Sequence, residues 1–298
     1  MNVLVTGITG FVGSHLAPRL VSAGHNLTGL VRNIGPRGHL SPGVQVSFVR
    51  GDITRPDTLP AALQRIDAVF HLAAIPYDQQ GSTMQSINAA GTRNLVNAME
   101  QAGVKRLIHL SALAVDSRSP YGYLRTKGAG EDAVRASALD WTIFRPSVLI
   151  GEEDEFANAL ARWLVVTPLF FPLVGDGKSR FQPLWIEDLV TMLLQALADP
   201  SRIGKSYDLG GPEILSYEQM VRQILAVLHR SRLLIHMPVP VMRPVVRVMG
   251  TVLPRPPATT GLLELLAVDN STASDSVERY FGFHPRRFSD TISYLNRF

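Results

Sequence analysis

The fold is decided by residues 1–32, which read MNVLVTGITGFVGSHLAPRLVSAGHNLTGLVR. Residues 2–6 form a short, mostly β-branched apolar run, the pattern of a buried strand. Gly7, Gly10 and Gly13 then follow at regular spacing. Beyond them apolar residues recur at helical spacing, and a second strand pattern closes the stretch. Strand, glycine turn, helix and strand in this order are typical of the opening of a βαβ unit that binds a dinucleotide.

Each glycine of the turn meets a different physical need. Gly7 allows a sharp turn, Gly10 lets a pyrophosphate approach the backbone, and Gly13 lets the helix pack closely. The helix N-terminus supplies N–H groups and a positive dipole end for the anion. A glycine-rich surface turn is the alternative, and the flanking strands and helix disfavour it. The predicted phosphate-binding residues are Gly7, Thr9, Gly10, Phe11, Val12 and Gly13.

The second signal is the absence of acidic residues from the first part of the chain. No Asp or Glu occurs from residue 1 to residue 51. Folds that select NAD usually carry an acid about twenty residues past the glycines, where it bonds the ribose 2′-hydroxyl. Arg32 occupies that place here, with Arg37 nearby. Because a guanidinium can grip a 2′-phosphate, we expect NADP(H) as the preferred cofactor, with NAD(H) as the alternative if Arg32 is an ordinary solvated arginine.

Composition bounds the class of protein. The chain has 298 residues, 46% hydrophobic and 18% charged, so it can bury a sizeable core. It has no cysteine, which excludes thiol catalysis, and the eight histidines lack metal-ligand spacing, so we expect no metal site. The net charge of +4 is too mild to indicate nucleic-acid binding. Because the sequence opens directly on a strand pattern, we expect no targeting peptide and a cytoplasmic protein, with peripheral membrane contact as the alternative.

Strand and helix patterns alternate along the first half of the chain. This alternation predicts an α/β fold, a Rossmann-type doubly wound parallel sheet, followed by a smaller and mostly helical C-terminal substrate lobe. Further strands are expected at residues 44–49, 67–72, 106–110 and 141–144, and helices at residues 82–101 and 119–137. Small residues after the strand at 67–72, Ala73 and Ala74, would let a cofactor lie against the backbone.

The pattern changes after residue 151. Residues 152–174 read as a helical apolar insertion, and residues 205–209 as a late strand that rejoins the sheet. The expected domains follow from this change. They are a dinucleotide-binding domain at residues 1–150, which 181–210 rejoins, and a substrate lobe at residues 151–180 and 211–298.

One pair of side chains points to catalysis. Tyr123 and Lys127 stand four apart on the predicted helix after the fifth strand, so they share a helical face. An ammonium beside a phenol favours the phenolate, and such a tyrosine can exchange a proton with a carbonyl or alcohol oxygen. Ser111, at the carboxyl end of the fifth strand, is placed to hydrogen-bond the same oxygen. The alternative is a solvent-facing Tyr/Lys pair.

The motifs TGITGFVG, GDI, VFHLAA, LIHLSA, YLRTK and FRPSVLIG occur in this order. Together they resemble the extended and atypical short-chain dehydrogenase/reductase superfamily, which is NAD-dependent epimerase/dehydratase-like. Within it the chain is similar to the branch of the NADPH-binding accessory subunit of respiratory complex I. The resemblance implies a catalytic trio of Ser111, Tyr123 and Lys127. It also implies cofactor contacts at Asp52, Ile53, Leu72, Ala73, Pro146 and Val148.

Three functions remain open at this point. The leading one is an NADP(H)-dependent oxidoreductase that acts on a carbonyl/alcohol pair of a small molecule. A non-catalytic NADPH-binding protein, structural or redox-sensing, is the alternative, and the short Ser111–Tyr123 loop favours it. A nucleotide-sugar epimerase is the third, with Arg180, Arg243 and Arg247 as the suggestive cations.

The substrate class depends on two apolar segments, residues 163–174 and 237–253. The bland interpretation is that both pack as the core of the lobe. The sharper one is that part of this surface lines an apolar pocket or touches a membrane, which predicts a lipophilic substrate over a sugar nucleotide.

Overall fold

The computed structural model describes residues 1–35, 38–79, 81–252, 263–264 and 266–298. Its strands are, in chain order, β1 (Asn2–Thr6), β2 (Asn26–Val31), β3 (Ser47–Arg50), β4 (Ala68–His71), β5 (Arg106–Leu110), β6 (Asp140–Pro146), β7 (Leu149–Ile150), β8 (Phe170–Val174), β9 (Arg180–Phe181), β10 (Leu184–Trp185), β11 (Lys205–Leu209), β12 (Leu215–Ser216) and β13 (Leu233–Met237). Its α-helices are α1 (Phe11–Ser22), α2 (Leu59–Ala62), α3 (Thr92–Ala102), α4 (Gly122–Arg135), α5 (Ala157–Val166), α6 (Ile186–Ala198), α7 (Tyr217–Val227), α8 (Val239–Val252), α9 (Ser276–Phe281) and α10 (Phe288–Thr291). A π-helical stretch, Gln85–Gly91, leads into α3.

The main sheet has seven strands in the order β11-β6-β5-β4-β1-β2-β3. The pairings from β3 across to β6 are all parallel. Parallel neighbours need crossover connections, and α1, α3 and α4 lie in three of them. This confirms the doubly wound parallel sheet that the alternating pattern predicts, and β11 confirms the late strand that rejoins it.

The strand order reverses at β1, because β2 lies on one side of it and β4 on the other. In open α/β sheets ligands bind beyond the carboxyl ends of the strands at such a reversal. Thr6 is in register with His71 and His71 with His109 at this edge. The glycine turn after β1 and the small residues after β4 therefore meet at the topological switch point.

The chain forms two compact units, one of residues 1–145 and 189–207, the other of residues 146–188 and 208–298. The first unit contains most of the seven-stranded sheet. In the second unit, buried side chains of α5 and α7 form a core together with Phe171, Leu173 and Phe181. That this unit binds substrate stays a prediction.

One predicted element of the second unit is wrong. The sequence pattern predicts helix through residues 152–174, but α5 ends at Val166 and Phe170–Val174 forms strand β8. The cause is Pro168, because a residue before proline is pushed out of the helical region, and Thr167 is indeed extended with ψ 117°. Strand β8 pairs in parallel with β13. No helix in the described ranges is both long and apolar enough to cross a bilayer.

Candidate functional site

The glycine turn packs as tightly as its spacing predicts. Gly7 has φ +74°, and a Cβ there would lie 2.8 Å from the backbone nitrogen of Ala73. A Cβ at Gly13 would lie 2.4 Å from the carbonyl oxygen of Gly7. Among the described residues, a Cβ at Gly10 would meet only that same oxygen, at 3.3 Å. Gly7 and Gly13 therefore hold the turn against β4 and α1, whereas the space beside Gly10 is left for a ligand.

Helix α1 begins directly behind this turn. Its N-cap residue is Gly10, which has no side chain to cap the helix, and no acid lies in its first turn. The first N–H groups of a helix lack intrahelical partners, so this end suits a phosphate. Phe11 and Val12 are both partly exposed. The carbonyl of Thr9 accepts a hydrogen bond from the backbone N–H of His39 at 3.2 Å, which fixes the turn from its other side.

A buried chain of hydrogen bonds supports the switch point. The hydroxyl of Thr92 donates to the carbonyl of Asn88 at 2.7 Å and lies 2.9 Å from Nε2 of His71. Nε2 must therefore carry the ring proton, and Nδ1 accepts from the hydroxyl of Thr6 at 2.7 Å. The oxygen of Thr6 is in turn 3.4 Å from the N–H of Ala73. Burial and the nearby Lys127 charge lower the pKa of His71 to about 3, consistent with this neutral ring.

Asn88 ties the loop after β4 to helix α4. Its Oδ1 accepts from the N–H of Ile75 and its Nδ2 donates to the carbonyl of Ile75, both at 2.9 Å. Nδ2 also lies 3.2 Å from the hydroxyl of Thr126. The sequence interpretation missed this role. The available signal was an asparagine on the apolar face of a predicted helix, since such an amide needs partners when buried.

Arg32 lies at the exposed carboxyl end of β2, where a ribose 2′-substituent is expected. One guanidinium nitrogen is 3.4 Å from the hydroxyl of Ser82. Arg37 lies outside the described residues. The placement of Arg32 is compatible with a 2′-phosphate contact, which stays a prediction.

The expected adenine-side residues follow β3. Oδ1 of Asp52 accepts from both the N–H and the hydroxyl of Thr54 at 2.8 Å, which forms a tight turn. Ile53 is buried, and its carbonyl accepts from Nδ2 of Asn94 at 2.9 Å. The side chain of Ile53 is thus part of the core and leaves its backbone, with Asp52, at the strand end.

After β4 the chain stays close to the glycine turn. Leu72 and Ala73 are half-buried and Ala74 is exposed. The N–H of Leu72 donates to the carbonyl of Thr6 at 3.2 Å. These residues present backbone rather than bulky side chains beside Gly7, as the small residues predict.

Tyr123 and Lys127 stand one turn apart on α4. Lys127 is buried, and its Nζ donates to the carbonyl of Leu110 at the end of β5, at 2.5 Å. Burial lowers the pKa of Lys127 to about 8, although Glu131 opposes the shift. Burial raises the pKa of Tyr123 to about 12. The expectation that lysine lowers the phenol pKa is therefore wrong for this structure, because desolvation dominates.

Ser111 is buried at the end of β5, and among the described residues its Oγ has no partner at hydrogen-bond geometry. It lies close enough to Glu131 to influence that carboxyl. Burial alone would raise the pKa of Glu131, but contacts with Arg145, Ser111 and Arg135 outweigh burial and lower it. Glu131 pairs with Arg135 at 2.9 Å and also with Arg145. The role of Ser111 as an oxygen-orienting donor stays a prediction.

A second imidazole, that of His109, lies near Lys127. His109 stacks on His71 with ring centroids 5.3 Å apart. It is buried, and neither ring nitrogen has a hydrogen-bond partner within the described residues. Burial, the Lys127 charge and His71 together hold its pKa well below the usual value. Both rings are therefore neutral and lie close enough to Lys127 for its charge to lower their pKa values.

Pro146 is the last residue of β6 and Val148 follows that strand. Both belong to the second unit, and their cofactor role stays a prediction. Arg180, a candidate cation for a nucleotide sugar, pairs with Asp269 at 3.3 Å. The side chains of Arg243 and Arg247 lie outside the described part of the chain.

Asp154 lies in the acidic run at residues 152–155, yet it does not face water. Its side chain is buried, accepts from the N–H groups of Ala157 and Asn158, and accepts the hydroxyl of Tyr294 at 2.5 Å. It caps the start of α5 from inside the unit.

Residues 7–161 match the sequence model of a family described as NAD(P)H-binding, over more than half of the chain. The chain belongs to this NAD(P)H-binding family. The membership confirms the resemblance drawn from the glycine and Tyr/Lys motifs. It also agrees with the geometry of the switch point, where the glycine turn, the N-terminus of α1 and the small residues after β4 lie together.

This NAD(P)H-binding chain is similar to proteins with different names, two of which are an NADH dehydrogenase subunit and a hydroxysteroid dehydrogenase. It is 29% identical over 246 residues to the mitochondrial NADH dehydrogenase [ubiquinone] 1 alpha subcomplex subunit 9 of Arabidopsis thaliana, covering 80% of this chain and 60% of that protein. It is 29% identical over 257 residues to a 3 beta-hydroxysteroid dehydrogenase/Delta 5-->4-isomerase of Mycobacterium tuberculosis, covering 75% and 68%. The chain thus spans about three fifths of the length of the NADH dehydrogenase subunits it matches.

The fold also matches solved structures. MoeE5 in complex with UDP-glucose and NAD superposes with a TM-score of 0.76 at 23% identity, covering 100% of this chain and 98% of that one. A likeness at this identity concerns the fold alone.

Proposed function

We propose that this chain is an NADP(H)-dependent oxidoreductase that interconverts a carbonyl and an alcohol. The observation that carries the proposal is the Tyr123/Lys127 pair on α4. Its lysine is anchored on the carboxyl end of β5, the edge of the sheet at which ligands bind. A buried lysine is costly, so its presence there favours a role in chemistry over one in folding.

The residues present fit a dinucleotide. The space beside Gly10 and the uncapped start of α1 suit a pyrophosphate, and Ala73 leaves the backbone open. When bound, the nicotinamide would supply or accept the hydride. The chain's own residues then manage the proton and the ribose.

Tyr123 is protonated at neutral pH, because its pKa of about 12 lies far above it. It can therefore donate its phenolic proton to a carbonyl oxygen in the reductive direction. The ammonium of Lys127, held by the carbonyl of Leu110, is placed to bond the ribose hydroxyls of the cofactor. Glu131 and its arginines hold the turn of α4 behind the lysine.

The hydroxysteroid dehydrogenase relative supports a carbonyl/alcohol reaction and also a lipophilic substrate. Its name describes alcohol oxidation on a lipophilic molecule. We extend the proposal to a lipophilic carbonyl compound, in line with the apolar segments of the second unit.

The test is turnover of NADPH over a panel of carbonyl compounds by wild type and Tyr123→Phe. Loss of the proton donor should lower kcat at least about a hundredfold while NADPH binding stays nearly unchanged. Tyr121→Phe is the matched control, because Tyr121 precedes α4 by one residue and should leave turnover intact. Turnover that survives Tyr123→Phe would show that another group is the acid.

A non-catalytic NADPH-binding protein is the second candidate. The burial of the Ser111 side chain favours it, as does the similarity to NADH dehydrogenase subunits. It predicts that wild type binds NADPH and that no carbonyl compound accelerates NADPH oxidation.

A further inference from the structure

Strands β8 and β13 form an isolated two-stranded parallel ribbon in the second unit. Phe170 is in register with Leu233, and Pro172 with Ile235. Phe171, on the other face, is buried in the core of the unit. On the outer face Phe170 is 56% exposed, Leu233 69% and Ile235 39%. Parallel strands are normally covered on both faces, and within the described part of the chain no strand or helix covers the outer face of this ribbon.

The exposed apolar area extends past the ribbon. Leu169, which precedes β8, is 75% exposed and accepts the N–H of Leu233 at 3.0 Å. We call Leu169, Phe170, Leu233 and Ile235 the ribbon face. Contiguous exposed apolar side chains of this kind mark an interaction surface rather than scattered surface residues.

The chain segment that contains β13 is rich in arginine. From residue 219 to residue 263 the sequence contains six arginines and no Asp or Glu. Arg230 and Arg232 directly precede β13, at the end where Leu233 and Phe170 lie. Glu218, the nearest preceding acid, is engaged with Arg222 at 2.6 Å and His236 at 3.1 Å.

We propose that the ribbon face docks on the surface of an anionic lipid bilayer. Apolar side chains would enter the acyl boundary, while Arg230 and Arg232 would meet the headgroups. A second copy is disfavoured because docking like on like would bring the same arginines together. The bilayer fits the charge, since acidic headgroups supply the counter-charge that this part of the chain lacks.

The experiment is co-sedimentation of the full chain with vesicles of phosphatidylcholine alone or with phosphatidylglycerol. We expect binding to the anionic vesicles that weakens in high salt, and little binding to the neutral ones. Phe170→Ser and Leu233→Ser should each reduce partitioning about tenfold, from the apolar area withdrawn. Arg230→Gln should reduce it about fivefold on anionic vesicles only.

Ile235→Ser and Ile214→Ser form a matched pair, because both isoleucines are 39% exposed in the same unit and only Ile235 is on the ribbon face. The proposal requires Ile235→Ser to weaken sedimentation and Ile214→Ser to leave it intact. It is overturned if wild type sediments with neither vesicle or if both variants lose binding equally. It is also overturned if Leu233→Ser instead abolishes self-association seen by analytical ultracentrifugation, which would assign the face to a second copy.

Discussion

Lys127 is a residue whose energetic cost is visible in the structure. Its ammonium is buried near two neutral imidazoles, with the Leu110 carbonyl as its hydrogen-bond acceptor. The pKa of Lys127 falls from the ordinary 10.5 to about 8 because burial disfavours the charge. Between these values the unfolded chain binds more protons at this residue than the folded chain. The free energy of unfolding therefore rises with pH across this window.

Removing the charge should stabilise the fold. At pH 7 the lowered pKa means that the buried ammonium destabilises the fold by about 3 kcal/mol. Replacing the lysine also removes its hydrogen bond to Leu110, which offsets about 1 kcal/mol of the gain. Lys127→Met should therefore raise the free energy of unfolding by about 2 kcal/mol at pH 7, and the gain should shrink as pH rises past 8. Urea titrations at pH 7 and pH 9.5 measure this. A gain that is equal at both values would contradict the buried-charge account.

Arg32 should decide the choice of cofactor. With no acid near the end of β2 in the first 51 residues, a 2′-phosphate meets a guanidinium and no repulsion. We expect NADPH to bind more tightly than NADH, and Arg32→Ala to weaken NADPH about tenfold with little effect on NADH. Fluorescence titration of both cofactors measures this, with Arg93→Ala as an exposed-arginine control on α3. Equal affinities in wild type would refute the preference.

Alanine substitutions in the glycine turn should distinguish a glycine that is needed for packing from one that is needed for cofactor binding. Gly13→Ala puts a methyl 2.4 Å from the oxygen of Gly7, and this backbone contact should cost about 1–3 kcal/mol of stability. Gly10→Ala meets only one atom at 3.3 Å and should keep the stability while it weakens NADPH binding. Gly43→Ala, with nothing within 4 Å, should change neither. Thermal melts with and without NADPH distinguish the three; a Gly10→Ala variant that binds normally would contradict the phosphate role.

Elements held by local signals were predictable from sequence, and those held by distant partners were not. The β1–turn–α1 unit follows from spacing and glycine sterics within thirty-two residues. The end of α5 at Val166 agrees with the local signal of Pro168, but the pairing of strand β8 depends on β13, which lies far along the chain. The burial of Asp154 depends on Tyr294, which lies 140 residues away and which no local pattern indicates. The Tyr123/Lys127 spacing was visible, but their pKa directions depend on burial that only the tertiary fold creates.

At the scale of the whole molecule, the parallel sheet closes only through helical crossovers, and its central strands β1, β4 and β5 are nearly all buried. A ligand at the reversal next to β1 contacts the ends of these central strands. Local opening there costs close to the global free energy of unfolding, since the core strands are among the last parts to exchange. Binding at this place should therefore stabilise the entire first unit against unfolding.

Cofactor binding should accordingly raise the melting temperature. At a hundred times Kd, NADPH adds about 2.7 kcal/mol to the unfolding free energy, a shift of about 5 °C for a chain of this length. NADH at the same concentration should give a smaller shift, and Tyr123→Phe should keep the NADPH shift because it removes only the proton donor. Differential scanning calorimetry measures all three. If NADPH leaves the transition unmoved, the switch point does not hold the cofactor, whatever activity the chain displays.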